Sequence, residues 1–303
     1  MSGLAVPAPV AWASLPVDWL TPDWPAPAGV HALCTARSGG VSTGPYASCN
    51  LGDHVRDDPA AVRANRARLA DTLRLVTPGA SPVFLKQVHG NGVLALAPGM
   101  ADGAEADACV TTAAGVACTI MVADCLPVLL THTSGAVVAA AHAGWRGLAG
   151  QGAQAHQGVL ETVFERFSAL ALDLIAPVAI NSVACVGKPA SSAVAAETLA
   201  WLGPCIGPTA FEVGGEVCDA FCATDPAAAT CFVPRTEYPG KFLCDLAGLA
   251  RLRLQALGIT RIYGNDSSAP WCTVTNASRF FSHRHGSAHG GGSGRFAACI
   301  WKG

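Results

Sequence analysis

The sequence carries little charge and lacks the devices that would send it out of the cell or into a bilayer. Only 13% of its residues are charged and its formal net charge is -2. It therefore offers no general attraction to a phosphate backbone or to anionic lipid, and neither nucleic acid nor membrane is an expected partner. Any phosphate it binds must be held by local groups. No lysine or arginine precedes Arg37, so the basic start of a secretory signal is missing. Asp124 and Asp173 interrupt the most apolar windows, and no run reaches the length of a membrane span. The 13 cysteines are an odd count, scattered singly without a CxxC pair, which argues against a disulfide framework and fits a reducing compartment. The expected location is the cytoplasm.

What is present is a globular chain with many tight turns: 51% apolar residues, 33 glycines and 20 prolines. Its 303 residues can bury a large core. We expect an extended segment over residues 1–29, rich in Pro, Ala and Trp, whose tryptophans pack, followed by a single domain over 30–303.

The chain is organised around residues 118–147. Two apolar runs, each long enough for one buried strand, are joined by the turn-like Thr133-Ser134-Gly135. The first delivers Asp124 and Cys125, the second His142, Trp145 and Arg146. A thiol and an imidazole at the mouth of a buried sheet can bind a metal or form a nucleophile and its base, and residue types alone leave both open.

Elsewhere, Arg37 opens a long Gly/Ser loop in which backbone N–H groups could approach an anion. Asp58-Pro59 starts a helix with Val62, Leu69 and Leu73 on one side. Residues 82–97 read as two strands around the turn Gly90-Asn91-Gly92, with Gln87 and His89 at a strand end. Asp107 enters an apolar strand, where a carboxylate caps a loop N–H or serves a site. Val159, Val163, Phe164, Phe167 and Leu170 mark an amphipathic helix. A strand from Trp201 runs into a Gly/Pro-dense loop that opens a helix at about Gly215, and Asp245 caps a helix that stops at Gly258. The tract from Ser282 to Arg295, with His283, His285, His289 and the glycine-rich 286–294, reads as a mobile loop at the rim of the site.

Lys86-Gln-Val-His-Gly90, Ala106-Asp-Ala108, Ala123-Asp-Cys-Leu-Pro-Val128, Ala141-His-Ala-Gly-Trp-Arg-Gly147, Leu202-Gly-Pro-Cys-Ile-Gly-Pro208, Phe211-Glu-Val-Gly214, Phe280-Phe-Ser282 and Gly294-Arg295 occur in one order. Together with Thr35-Ala-Arg-Ser-Gly-Gly-Val-Ser and Asn50-Leu-Gly, this set resembles the laccase-domain family, also known as the multicopper polyphenol oxidase, YfiH-like or peptidoglycan editing factor family. The resemblance spans about residues 30–302.

It implies an α+β fold in which mixed β-sheets form a sandwich-like core flanked by helices, as in toxin-type cysteine hydrolases. It implies phosphorolysis of purine nucleosides (adenosine, inosine or methylthioadenosine) by phosphate, with adenosine deamination as a second activity, in a monomer or homodimer. It implies a zinc site of His89, Cys125 and His142, with copper as the other metal to consider. Three such ligands leave one tetrahedral position open. Asp124 or Asp107 is then the candidate proton carrier, Arg146 the phosphate fork, Arg37 and Arg284 weaker phosphate candidates, and Gln87 a further substrate contact. Two departures from the family pattern stand out: 176–199 looks like an insertion, and His283-Arg284-His285-Gly286 replaces the usual Tyr-Arg-Arg-Asp. The rival readings are a metal-free cysteine hydrolase or amidase editing peptidoglycan precursors with Cys125 as nucleophile, a copper-dependent polyphenol oxidase, and a binding protein without catalysis.

Overall fold

The computed structural model of the protein describes Pro16 and residues 18–150, 157–179 and 190–303. In chain order these form β1 (Val30–Cys34), α1 (Pro59–Val76), β2 (Ser81–Phe84), β3 (Val93–Ala95), β4 (Ala108–Thr111), β5 (Val116–Val122), β6 (Leu126–His132) and β7 (Val138–Ala143). They continue through α2 (Trp145–Ala149), α3 (Val159–Ala179), α4 (Ala190–Ala196), β8 (Thr198–Leu202), β9 (Glu212–Gly214) and α5 (Gly215–Cys222). The last elements are β10 (Phe232–Pro234), β11 (Lys241–Cys244), α6 (Leu246–Ala256), β12 (Arg261–Gly264), α7 (His283–Ala288) and β13 (Phe296–Lys302).

A six-stranded sheet runs β12-β8-β6-β7-β4-β3, a four-stranded sheet β1-β13-β5-β2, and a small third sheet β10-β11-β9. The larger sheets mix parallel pairs, β8 with β12 and β2 with β5, among antiparallel ones. Alternation along β6 and β7 sends side chains to two cores. Val128, Leu130, Ala139 and Ala141 join Phe164, Phe167 and Leu254 beneath the helices, whereas Leu129, Val138 and Ala140 join Ile120, Ile300 and Trp301 of the opposing sheet. Both faces of these strands are covered, so they read as unbroken apolar runs with no polar alternation. The result is the expected α+β sandwich with flanking helices.

Locally encoded elements fall where the sequence places them. Asp58 caps α1 by accepting from Ala60 N–H, with Pro59 at the first helical position, and Asp245 caps α6 by accepting from Gly248 N–H. Trp19 and Trp24 of the N-terminal segment pack on the core between the sheets, while residues 1–15 and Val17 lie outside the described residues. Of the stretch 176–199 read as an insertion, 180–189 lie outside them; the rest completes α3, forms α4 and begins β8. The cysteines of the described residues are free thiols, and none of their helices is long and apolar enough to cross a membrane.

Three expectations are corrected. Residues 82–97 are not a hairpin: β2 lies in the four-stranded sheet and β3 at the edge of the six-stranded one, because the loop between them is bound elsewhere along its length. The first apolar run at 118–132 holds two strands, not one, broken at Ala123–Cys125 where the chain passes between sheets. The tract after Phe281 begins as a helix, α7, because Ser282 caps it by accepting from His285 N–H.

The loop after β1 is folded onto α1 through Asn65, a buried amide. Its oxygen accepts from Val41 N–H at 2.9 Å, and its NH2 donates to Ser42 Oγ, Ser48 O and Asn50 O. Asn65→Ala leaves these groups unmatched in a dry setting, so unfolding in urea should show a loss of about 2 kcal/mol; a loss under about 0.5 kcal/mol would mean the loop is held by other contacts.

Candidate active site and metal centre

The passage of the chain between sheets creates the site. β5 ends at Val122 in the four-stranded sheet and β6 begins at Leu126 in the other, so Ala123, Asp124 and Cys125 bridge the sandwich at one end. Asp124 holds the left-handed backbone, φ 89, which a non-glycine residue adopts only when its surroundings enforce it. The pairing of β6 with β7 sets Leu126 opposite Ala143 and Pro127 opposite His142, which brings Cys125 against the end of β7. Gly144 follows directly, and a Cβ there would stand 3.0 Å from Cys125 Sγ and 3.1 Å from His89 Cδ2, so a side chain would crowd both donors and glycine lets the three segments close up.

His89 arrives on the loop between β2 and β3, also with left-handed backbone, φ 65. That loop is wound around Asp107. The Asp107 carboxylate accepts from the N–H groups of Val88 at 3.2 Å, His89 at 2.9 Å and Gly90 at 2.6 Å, and it meets Nδ1 of His142 at 2.8 Å. Asp107 is fully buried. Burial alone would raise its pKa, but the hydrogen bonds and charge of His142 and the backbone donors outweigh it and hold the carboxyl below its ordinary value. With Nδ1 of His142 engaged, Nε2 is left for the site.

The donor atoms of His89, Cys125 and His142 all lie within 4.8 Å of one another, and the two imidazole rings meet edge to face at 4.8 Å. Among the described residues this is the one group of three or more such side chains that could hold a metal ion. Burial raises the Cys125 pKa, yet the attraction and hydrogen bonds of His142 and His89 dominate and bring it down to about 6. Burial lowers His142, and the Cys125 charge and Asp107 raise it to about 9. Without metal the pair is therefore thiolate and imidazolium between about pH 6 and 9.

The group opens onto a cavity of about 410 Å³ whose other walls include His54, Gln87, Met121, Asp124, Ile206, Phe211, Arg284 and Arg295. Asp124 lines it, but both carboxylate oxygens are already used, one by the Thr273 hydroxyl at 2.6 Å and the other by Arg284 N–H at 2.7 Å. Gln87 clamps β5, its amide donating to Met121 O and accepting from Met121 N–H, both at 2.8 Å. Arg284 also lines the cavity, with its guanidinium directed to the carbonyls of Ala210 and Glu212. Arg146 does not line this cavity; it lies 4.4 Å over the Trp145 ring and lines two smaller pockets of about 130 Å³ each, both of which His89 also lines.

Two expected substrate contacts are corrected. Arg37 does not line this cavity; its guanidinium donates to the carbonyls of Ala47, Ala277 and Pro45 and so braces loops. Asp107 has no exposed surface to offer a substrate and instead positions two other side chains. Sequence reasoning passed over His54, Phe211 and Arg295 as cavity residues. Phe211 and Arg295 stand inside the motifs Phe211-Glu-Val-Gly214 and Gly294-Arg295, whereas His54, two residues after Asn50-Leu-Gly52, carries no local signal.

The thiolate is open to direct measurement. In metal-free protein the ultraviolet thiolate band of Cys125 should appear with a midpoint of about 6 as pH rises, since its lowered pKa means the charge is present above that point and lost below it. In His142→Ala the midpoint should climb toward the free-thiol range, about 8.5. An unmoved midpoint would show that His142 is not the counter-charge.

Comparison with known proteins places the chain in a family. Residues 31–180 and 172–303 match the family described as multi-copper polyphenol oxidoreductase laccase. A purine nucleoside phosphorylase of Pseudomonas aeruginosa is 46% identical over 283 residues, covering 93% of this chain and 98% of that one. The purine nucleoside phosphorylase YfiH of Escherichia coli is 41% identical over 282 residues, 93% of this chain and 98% of its own. A Neisseria meningitidis protein of known crystal structure superposes with a TM-score of 0.71 at 41% identity, over 94% of this chain and 99% of that one. With its motifs, sheet order and nearly full-length matches in agreement, the chain belongs to the multi-copper polyphenol oxidoreductase laccase family.

Proposed function

We propose that the protein is a cytoplasmic, zinc-dependent purine nucleoside phosphorylase that converts adenosine, inosine or methylthioadenosine and phosphate into free base and sugar 1-phosphate, with adenosine deamination as a second activity. The relatives' names support the reaction class. The observation that carries the assignment to this site is the convergence of His89, Cys125 and His142 on one wall of a cavity large enough for a nucleoside.

Two imidazoles and a thiolate suit zinc, and Cys125 is already ionised near neutral pH. Zinc held by these three residues would supply a Lewis acid with one position open to the cavity. Asp107 fixes the ring of His142 and the backbone that carries His89, so the donors keep their spacing. Met121, Ile206 and Phe211 give the cavity apolar walls that suit a flat purine and exclude water. Asp124 is the carboxylate on the cavity wall, and to carry a proton to a leaving base or during deamination it would have to release the Thr273 hydroxyl or the Arg284 N–H that its oxygens now accept. Arg146 lines a neighbouring pocket with His89 and Cys125 and has no carboxylate within ion-pair distance among the described residues, so its charge is available to an anion there.

A second reading has an observation of its own. Cys125, His142 and Asp107 form a thiolate, imidazolium and carboxylate in hydrogen-bonded series, which is what a cysteine hydrolase or amidase acting on a peptidoglycan precursor requires. His89 separates the two, because a nucleophile and base have no need of it. A copper polyphenol oxidase is disfavoured, since four-electron reduction of oxygen needs several coppers and the described residues offer one three-donor group.

The deciding experiment incubates the purified protein with adenosine and phosphate, follows adenine, ribose 1-phosphate and inosine, and measures bound metal in wild type, Cys125→Ala and His89→Ala. Stoichiometric zinc in wild type, with zinc and phosphorolysis both lost by at least about a hundredfold in each variant, is the expected result. Metal-free wild type that still cleaves adenosine fully, or cleavage surviving in His89→Ala but not in Cys125→Ala, would overturn the zinc role, and no product from any purine nucleoside would leave the hydrolase as the better reading.

A further inference from the structure

Two arginines line the cavity beside Cys125, and they differ in what they have left to give. Arg284 directs both amino groups to the carbonyls of Ala210 and Glu212. Arg295 donates one amino group to Ser293 O at 2.9 Å and Gly294 O at 3.0 Å, and among the described residues no carboxylate lies within ion-pair distance of it and no acceptor meets its Nε or second amino group. A largely desolvated cation without a paired anion, facing a cavity, is unfavourable unless a ligand completes it. Burial lowers its pKa, and the fields of Cys125, Asp124 and Tyr46 push the other way, which places its charge toward the reactive group.

The guanidinium is also held in a built position. The register of β13 on β5 sets Phe296 opposite Val122, so Arg295 sits beside the Ala123–Cys125 passage. From the other side comes Asn50-Leu51-Gly52, whose Asn50 carbonyl is itself held by the Asn65 amide. The buried Asn50 side-chain oxygen accepts from Gly52 N–H at 2.9 Å and from Arg295 N–H at 2.8 Å, and Leu51 N–H donates to Arg295 O at 2.9 Å. A Cβ on Gly52 would lie 2.7 Å from Arg295 Cγ, so glycine here makes room for the arginine stem. His54, two residues on, lines the same cavity.

We propose that Arg295 is the phosphate-binding residue of this cavity: the free edge of its guanidinium takes two oxygens of inorganic phosphate, His54 adds a donor, Asn50 and Leu51 fix the backbone that carries the arginine, and Gly52 leaves room for its stem. The inference rests on the phosphorylase reading for the identity of the anion, and it deepens that reading by naming where the second substrate sits. A bidentate arginine in a desolvated wall also orients the anion, which a surface lysine would not do.

The test titrates inorganic phosphate into the zinc-loaded full chain by calorimetry, and measures KM for phosphate and for adenosine separately, in wild type, Arg295→Met, Arg295→Lys and Gly52→Ala. Arg295→Met should weaken phosphate on the order of tenfold to a hundredfold, with zinc content unchanged and KM for adenosine within about threefold of wild type. Arg295→Lys should recover part of the loss. Gly52→Ala keeps the charge but displaces the guanidinium, so it should weaken phosphate in the same direction, and it decides the matter if Arg295→Met does not fold. Phosphate affinity unchanged in both Arg295→Met and Gly52→Ala, or no phosphate binding by wild type, overturns the proposal. If phosphate binding is lost in Arg295→Met while wild type cleaves no nucleoside, the anion site stands and the phosphorylase reading falls. If nucleosides are cleaved with unchanged KM for phosphate in both variants, the reverse holds.

Discussion

The buried Asp107 carboxylate is the constraint from which the rest of the site follows. It accepts from three successive backbone N–H groups and faces Nδ1 of His142, so one anion ties the loop carrying His89 to the strand carrying His142. Burying a charge is unfavourable unless its oxygens are matched, and four donors do that here. Neither the loop nor the ring can move without stranding the carboxylate. That is why His89, whose side chain reaches toward solvent, still has a fixed place beside Cys125.

The electrostatics of the pair follow from the same anchor. Asp107 favours a protonated His142, and the imidazolium favours the Cys125 thiolate. A metal ion entering this group would take over the imidazolium's role as counter-charge and release its proton, while the sulfur would need no change of state. The hydrolase reading uses the same two groups with the proton retained. His89 weighs against it, because a second imidazole close to the sulfur, at 4.8 Å from the first, occupies space that an incoming carbonyl would need.

Much of this was legible in the sequence where the signal was local. Asp58-Pro59 and Asp245 with Gly258 mark helix ends because capping uses residues a few positions apart. The three metal-ligating candidates were legible only through the ordered set of family motifs, since no spacing among 89, 125 and 142 says that they meet. The misread elements share one cause. Gly90-Asn91-Gly92 looks like a hairpin turn, but Asp107 and Met121, distant in sequence, take up the loop's hydrogen bonds and send β2 and β3 to different sheets. The apolar run at 118–132 looks continuous because both of its strands are buried on both faces, so composition does not reveal the break at Asp124. Arg37 offered the right charge in a glycine-rich loop, yet nearby carbonyls claim it.

The contact between Asn50 and Arg295, 245 residues apart, shows how sheet closure does what local sequence does not. β1 and β13 pair antiparallel with Cys34 opposite Ala298, and Thr35 extends the contact, its N–H donating to Ala297 O and its side-chain hydroxyl accepting from Ala297 N–H. The loop that leaves β1 must therefore run beside the residues that enter β13. On its other edge β13 pairs with β5, which ends just before Asp124 and Cys125. One central strand thus brings a loop from near the start of the described chain, an arginine from near its end and the thiolate from its middle to the same end of the sandwich. The site inherits its spacing from strand register, which is rigid because a one-residue slip would turn every buried side chain to the wrong face. Loss of that register would separate the cation from the thiolate even with each side chain intact, so the arrangement of this site is a property of the closed sandwich and not of any one motif within it.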